Sequence, residues 1–208
     1  MIEEMKRPKL LDLFCGAGGA SMGYYRAGFD VEGVDIKPQP HYPFKFYQAD
    51  ALTFPLEGYD AYHASPPCQK YTTMQYRYKN KLNHPDLIAP MRERLISIGK
   101  PYIIENVHKA PLLGHLMLCG TMFGLKVRHH RFFECPWMEL TLLRPCDHRG
   151  IYSRWDWRNG NTQERIKLLH YLDIDWDMTL LEVREAIPPA YTEYIGEYLM
   201  KVVQPLAD

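Results

Sequence analysis

An apolar run ending in a glycine cluster constrains the fold more than any other feature of the chain. Residues 9–14 are Lys-Leu-Leu-Asp-Leu-Phe, and Cys15 leads from them into Gly16, Gly18 and Gly19. The pattern reads as a buried strand turning into a helix over residues 19–27, closed by Gly28. Residues 29–35 form a second strand-like run, 44–48 a third and 59–64 a fourth, after which Pro66 and Pro67 stop regular structure. Residues 85–98 read as a helix with Asp86 in its first turn and Gly99 at its end, and 101–105 as another buried strand. Strands alternating with helices imply a Rossmann-like α/β fold, a mostly parallel sheet with helices on both faces. Ligands of such sheets sit at the carboxyl ends of strands. Asp12, Asp35, Ser65 and Glu105 all fall at expected strand ends.

The rest of the chain is less regular. Residues 71–84 lack periodicity and are long for a connection, the pattern of a functional lid or of disorder. Residues 135–161 hold three of the four tryptophans and few periodic apolar positions, whereas 180–203 reads as helical on both sides of Pro188 and Pro189. A length of 208 residues suffices for one well-buried domain. No apolar run approaches the roughly 20 residues of a membrane span, and the charged start lacks the apolar core of a signal peptide. A cytoplasmic protein with no membrane partner is expected. Five cysteines, an odd number at irregular spacing, do not suggest a disulfide framework. Net charge is zero, so composition alone does not argue for a nucleic-acid partner. Lys70, Arg77, Lys79 and Lys81 nevertheless cluster with Tyr71, Tyr76 and Tyr78, a stretch suited either to phosphates or to a solvated surface.

Four constellations carry chemistry. In Asp12-Leu13-Phe14-Cys15-Gly16-Ala17-Gly18-Gly19, glycines let the backbone approach a ligand, and the helix start offers amides. Asp35 ends the next strand, where ribose hydroxyls are commonly held. Asp12 adds negative charge where a diphosphate would sit, so the sulfonium and amino group of S-adenosylmethionine fit better. In Ser65-Pro66-Pro67-Cys68-Gln69, two prolines put Cys68 on rigid backbone, which suits a nucleophile, although most unpaired cysteines are simply buried. Glu105-Asn106-Val107 places an acid and an amide at a strand end, as an active-site acid or as a cap. Arg128-His129-His130-Arg131-Phe132-Phe133 runs basic residues into a strand, with a solvated patch as the alternative.

In this order, the glycine motif, Pro-Pro-Cys-Gln, Glu-Asn-Val and the arginine-containing strand resemble the C5-cytosine DNA methyltransferase family. Gly33-Val34-Asp35 and Ala49-Asp50-Ala51 fall where that family has its cofactor-binding acids, and Ala186-Ile187-Pro188-Pro189-Ala190 looks like its C-terminal motif. The matches span residues 10–199. The resemblance implies a DNA (cytosine-5-)-methyltransferase that uses S-adenosylmethionine, yields S-adenosylhomocysteine and requires no metal. Cys68 would add to C6 of cytosine and make C5 nucleophilic. Glu105 would hydrogen-bond N3 and the 4-amino group, and Arg131 would bind the O2 side. Phe14 would pack on adenine, Asp35 take the ribose and Asp50 the adenine amino group. Gly16 and Gly18 would face the methionine part, with Asp12, Ile36, Ala51 and Pro66 completing the cofactor site. Ser65, Pro67, Gln69, Asn106 and His129 are the expected substrate contacts. Because C5 and C6 are buried in duplex DNA, the cytosine must be flipped out, and residues 69–83 resemble the loop that closes over it.

The chain also departs from the family. His129 stands where a second arginine is usual, and Arg184-Glu185 replaces a Gly-Asn pair. The expected organisation is a catalytic core over 1–134, a short target-recognition stub over 135–161 and C-terminal helices over 162–208. Such a stub is too small for an independent core, which resembles compact methylases encoded by phages. Recognition is then short and relaxed, supplied by a separate specificity partner, or directed at a cytosine nucleotide or RNA cytosine. A catalytically silent nucleic-acid-binding subunit is the other class of reading, opposed by the intact Cys68, Glu105 and Arg131. Neither oligomeric state nor a restriction partner is legible. Cys135, Cys146 and His148, with or without Cys119, could staple the stub with zinc, but the paired Cys-x-x-Cys knuckle is missing, so incidental cysteines are expected. Trp155, Asp156 and Trp157 are read as DNA contacts or local packing.

Overall fold

The computed structural model describes residues 6–71, 84–138, 143–149, 151–153 and 162–204. In chain order they form β1 (Lys9–Leu13), α1 (Gly19–Arg26), β2 (Asp30–Asp35), β3 (Lys45–Gln48), β4 (Ala61–Ala64), α2 (Ile88–Ile98), β5 (Tyr102–Asn106), β6 (His115–Leu118), β7 (Val127–Arg128), β8 (Arg131–Glu134), β9 (Tyr152–Ser153), α3 (Thr162–Leu172), α4 (Leu180–Glu185) and α5 (Pro189–Val203). Seven strands make one sheet in the order β3-β2-β1-β4-β5-β8-β6, and β7 pairs with β9 in a small second sheet. The pairings from β3 through β5 are parallel, while β8 lies antiparallel between β5 and β6.

Strand alternation explains the layers. Leu10, Val31, Ala61 and Ile103 pack with Tyr24 of α1 and Tyr191, Ile195 and Leu199 of α5. Their neighbours along the strands, Leu11, Tyr62 and Ile104, pack with Ile88, Met91 and Leu95 of α2. Successive side chains of a strand point to opposite faces, so each apolar run needs a helix on both sides of the sheet. The expected architecture is the one observed. Close approach of α1 and α5 depends on Gly23, where an added Cβ would lie 2.1 Å from Thr192 Oγ1. Thr192 Oγ1 in turn donates to the Ala20 carbonyl at 2.8 Å.

A third apolar cluster joins Ala17 and Val127 to Leu168, Leu172, Met178 and Val183, so the C-terminal segment returns to the glycine turn. Trp176 Nε1 donates to the Ala17 carbonyl at 3.0 Å and fixes that return. The break expected at Pro188 and Pro189 falls between α4 and α5, with Pro189 as the first helical residue.

One boundary differs from the sequence reading. The helix expected from residue 85 starts at Ile88, since Asp86 Oδ1 accepts from the Ile88 amide and Pro90 is then accommodated in the first turn. The short strands β6, β7 and β9 lie where no periodicity was legible, and helix α3 falls within the span 162–208 read as helical. The expectations for residues 72–83 and for Trp155, Asp156 and Trp157 fall outside the described residues. Lys70 and Asp86, which flank the former segment, pair at 3.2 Å. Among the described residues no helix is long and apolar enough to cross a membrane.

Candidate active site

Register brings the predicted residues onto one edge. Val34, Leu13, Ala64 and Ile104 are paired across β2, β1, β4 and β5. The next residue on each strand is Asp35, Phe14, Ser65 and Glu105, and Gln48 pairs with Asp35 from β3. Four of the sequence-predicted positions therefore form one row at the carboxyl side of the sheet, where α/β folds bind ligands.

The glycine turn closes on this row. Phe14 and Gly16 both have positive φ, 61° and 50°, and the turn is held by the Gly16 amide donating to Asp35 Oδ2 at 3.1 Å. A left-handed backbone is costly for phenylalanine and is tolerated here because the turn bonds on both sides fix it. The Lys37 amide binds the other oxygen of Asp35 at 2.9 Å. Nothing lies within 4 Å of a Cβ placed on Gly16, whereas one on Gly18 would meet Pro43 at 2.7 Å. Gly16 thus faces open space, and Gly18 is needed for packing against the neighbouring loop.

Asp12 is fully buried at the end of β1 and accepts a hydrogen bond from Ser21. Burial, with the nearby negative charges of Asp35 and Glu105, pushes its pKa up to about 7 against the lowering effect of Ser21. Its Oδ1 has no hydrogen-bond partner among the described residues. A buried acid with one unsatisfied oxygen, beside an open glycine, fits a ligand carrying positive charge and not a diphosphate. Asp50 accepts from the Leu52 amide at 2.9 Å beside buried Ala51, while Ile36 is exposed at the same edge.

The Pro-Pro-Cys segment is tied down from two sides. Asn106, buried at the end of β5, donates from Nδ2 to the Pro66 carbonyl at 2.8 Å and accepts the Val107 amide at 2.9 Å. The Ser65 amide donates to the Leu13 carbonyl at 3.1 Å, and the Tyr71 amide to the Cys68 carbonyl at 2.9 Å. Cys15, Cys119 and Cys135 are buried, whereas Cys68 and Cys146 are half-exposed. Burial pushes the Cys15 and Cys135 thiols well up, which removes them as nucleophiles. Pro66 is buried, and Pro67 and Gln69 are exposed.

Glu105 and Arg131 form a buried ion pair, Arg131 Nε to Glu105 Oε1 at 3.3 Å. The antiparallel register pairs Glu105 with Phe133, and Arg131 is two residues along on the same face, so the contact is a diagonal cross-strand pair. His129 is buried, and its carbonyl accepts a hydrogen bond from the Tyr191 hydroxyl of α5.

One part of the site was missed by sequence reasoning. His63, in the middle of β4, is fully buried, with Nδ1 2.9 Å from the Tyr24 hydroxyl and Nε2 2.8 Å from Ser65 Oγ. Burial lowers its pKa to about 3, so the imidazole stays neutral and links the α1 face to the segment before Cys68. A histidine within an otherwise apolar strand was the available signal.

No protein-family model matches the chain, and none of the curated proteins does. Solved structures do. An E. coli prophage protein described as a DNA modification methyltransferase superposes with a TM-score of 0.50 at 19% identity, over 74% of this chain and 55% of that one. The S. pombe Dnmt2 methyltransferase superposes with a TM-score of 0.59 at 11% identity, covering 95% of this chain and 100% of its own. The chain shares the Rossmann-like fold of these two structures. This chain spans about half the length of the prophage protein, and at such identities the likeness speaks to the fold alone.

Proposed function

We propose that the protein is an S-adenosylmethionine-dependent methyltransferase acting on C5 of cytosine in DNA, with Cys68 as nucleophile. The observation that carries this reading is the single sheet edge joining buried Asp12, open Gly16 and Asp35 on one side to Cys68, Glu105 and Arg131 on the other. The methyltransferase fold of the two solved structures supports it. S-adenosylmethionine supplies an electrophilic methyl group when bound. Asp12 would face its positive charge, Asp35 would hold its ribose and Asp50 and Phe14 its adenine, with Ile36, Ala51 and Pro66 around them.

Cytosine C5 is too weak a nucleophile to take the methyl group unaided. The Cys68 thiolate adds to C6, and the electron pair displaced from the C5–C6 bond makes C5 enamine-like. Glu105 holds N3 and the 4-amino group, and Arg131 holds O2 while neutralising charge on the ring. After transfer a base removes the C5 proton, the double bond re-forms and the thiolate leaves. Ser65, Pro67, Gln69 and His129 frame the base, which must leave the duplex to reach Cys68, and Asn106, read in sequence as a substrate contact, acts through the Pro66 carbonyl. A short recognition region over residues 135–161 leaves room for a separate specificity partner.

A duplex containing 5-fluorocytosine tests the proposal. Incubated with the enzyme and S-adenosylmethionine, it should give a denaturation-resistant complex that Cys68→Ala abolishes. A complex that persists in Cys68→Ala removes the assigned nucleophile. Labelled methyl donor offered in parallel with DNA, RNA and dCMP tests the substrate, and methylation confined to dCMP or RNA overturns DNA.

A further inference from the structure

Outside the active site, four soft donors converge from three separate segments. Cys119 follows β6, His130 lies between β7 and β8, and Cys146 and His148 come from the segment 143–149. One ligand atom from each lies within 4.8 Å of all the others. His130 Nε2 is 3.1 Å from His148 Nε2, Cys119 Sγ is 3.4 Å from His148 Nε2, and Cys146 Sγ is 3.8 Å from His130 Nε2. A tetrahedral zinc centre with two thiolates and two imidazoles has edges of about 3.3 Å between nitrogens and about 3.6 Å between sulfur and nitrogen, from its bond lengths. The observed separations sit close to those edges.

We propose that Cys119, His130, Cys146 and His148 bind one zinc ion as a closed structural site. Two sulfurs and two nitrogens in a tetrahedron are the donor set that selects zinc, and four protein ligands leave no open position for catalysis. Thr121 Oγ1, 3.6 Å from Cys119 Sγ, supplies an outer hydrogen bond to the sulfur. The sequence reading named Cys135 among the candidate ligands and expected no metal. Cys135 instead packs in the apolar cluster with Leu118 and Phe133, and His130 takes part where it had been read only as a basic residue.

The site answers a packing problem. The segment 143–149 carries Leu143 against the core but is mostly exposed, and so short a piece has little apolar burial to order it. A zinc ion would cross-link it to the ends of β6 and β8 at His130, the residue before Arg131. Closing the long loop between Cys119 and Cys146 is the kind of constraint that stabilises most.

Protein expressed in zinc-supplemented medium, desalted and measured by elemental analysis, should hold about one zinc per chain. Exchange for cobalt should give the thiolate charge-transfer absorption and intense visible bands of a tetrahedral Cys2His2 centre. Cys146→Ala and His148→Ala, both in the outer segment, should lower zinc to below about one-fifth of an equivalent, while Cys135→Ala keeps it. Because Cys119→Ala perturbs a buried position, the two outer variants carry the test, with far-ultraviolet circular dichroism checking that the sheet survives. Zinc below about one-tenth of an equivalent in the parent protein overturns the site. So does full zinc retention in Cys146→Ala and His148→Ala.

Discussion

Asp12 and His63 hold opposite and overlapping pH dependences, and replacing one of them should expose the other. Folded Asp12 keeps its proton up to about pH 7, against a reference value of 3.8, because it is buried. Between those values the native state binds more protons than the unfolded state, so stability falls as pH rises. Folded His63 gives up its proton down to about pH 3, against 6.5, for the same reason. There the unfolded state binds more protons, so stability rises with pH. Each slope is about tenfold in the folding constant per pH unit, and between about pH 4 and 6.5 they cancel. Asp12→Asn keeps a side chain that can bond Ser21 and removes only the falling slope. From pH 4.5 to 6.5 its stability relative to the parent should therefore rise by about a hundredfold in the folding constant, some 3 kcal/mol. Urea unfolding of both proteins at the two pH values measures the difference directly. A constant difference would refute the assigned titration of Asp12, whatever the absolute stabilities. The same acid bears on the proposed cofactor, since a cationic ligand beside Asp12 favours its ionised form. Affinity for S-adenosylmethionine should then increase from pH 5.5 to 7.5 in the parent and change much less in Asp12→Asn.

The other predictions concern the remaining buried polar groups. Asn106→Ala leaves the Pro66 carbonyl without its donor and should cost about 1–3 kcal/mol in urea unfolding; methyl transfer should drop while cofactor affinity holds, and loss of affinity alone would contradict its positioning role. Glu105→Gln should slow single-turnover methyl transfer by about one to three orders of magnitude, and unchanged turnover would take Glu105 out of the mechanism. Arg92 Nε and Nη2 bind the two oxygens of Glu134, whose side chain is 1% exposed, at 2.8 and 2.7 Å. Arg92→Leu should therefore destabilise by about 3–5 kcal/mol, with most of the loss recovered in the Arg92→Leu/Glu134→Leu double variant; no recovery would mean that packing and not charge sets the cost.

How much of this was legible in sequence follows from the range of the forces involved. Strands β1, β2, β4 and β5 are buried on both faces, so their apolar runs are nearly continuous and their ends are marked by Asp12, Asp35, Ser65 and Glu105. Those marks were enough to place four strand ends in one row. Strand β8 also carries two phenylalanines, but β6 has only His115-Leu116-Met117-Leu118 at a sheet margin, too short for a period to register. The contact of His63 with Tyr24 was hidden for a different reason: the two side chains are 39 residues apart and meet only through the fold. Cys119, Cys146 and His148 were named as possible zinc ligands, whereas His130, 16 residues before Cys146 and 18 before His148, leaves no knuckle spacing to read. Cys135 illustrates the converse. Its proximity in sequence to Cys146 invited a shared ligand set, whereas the alternation of β8 had already turned it into the core.

Two consecutive residues of β5 tie the proposed chemistry together. Glu105 meets Arg131 on β8, and Asn106 reaches across to the Pro66 carbonyl two residues before Cys68. Adjacent strand residues point to opposite sides, so one backbone position serves the group that holds the base and the next serves the segment that carries the nucleophile. The distance between the two functions is then set by a central strand buried on both faces and not by a loop. Positioning within a fraction of an ångström is what such an addition at C6 demands. On this arrangement a disturbance of β5 is felt by base binding and by Cys68 together, while a disturbance of the glycine turn reaches the cofactor side alone.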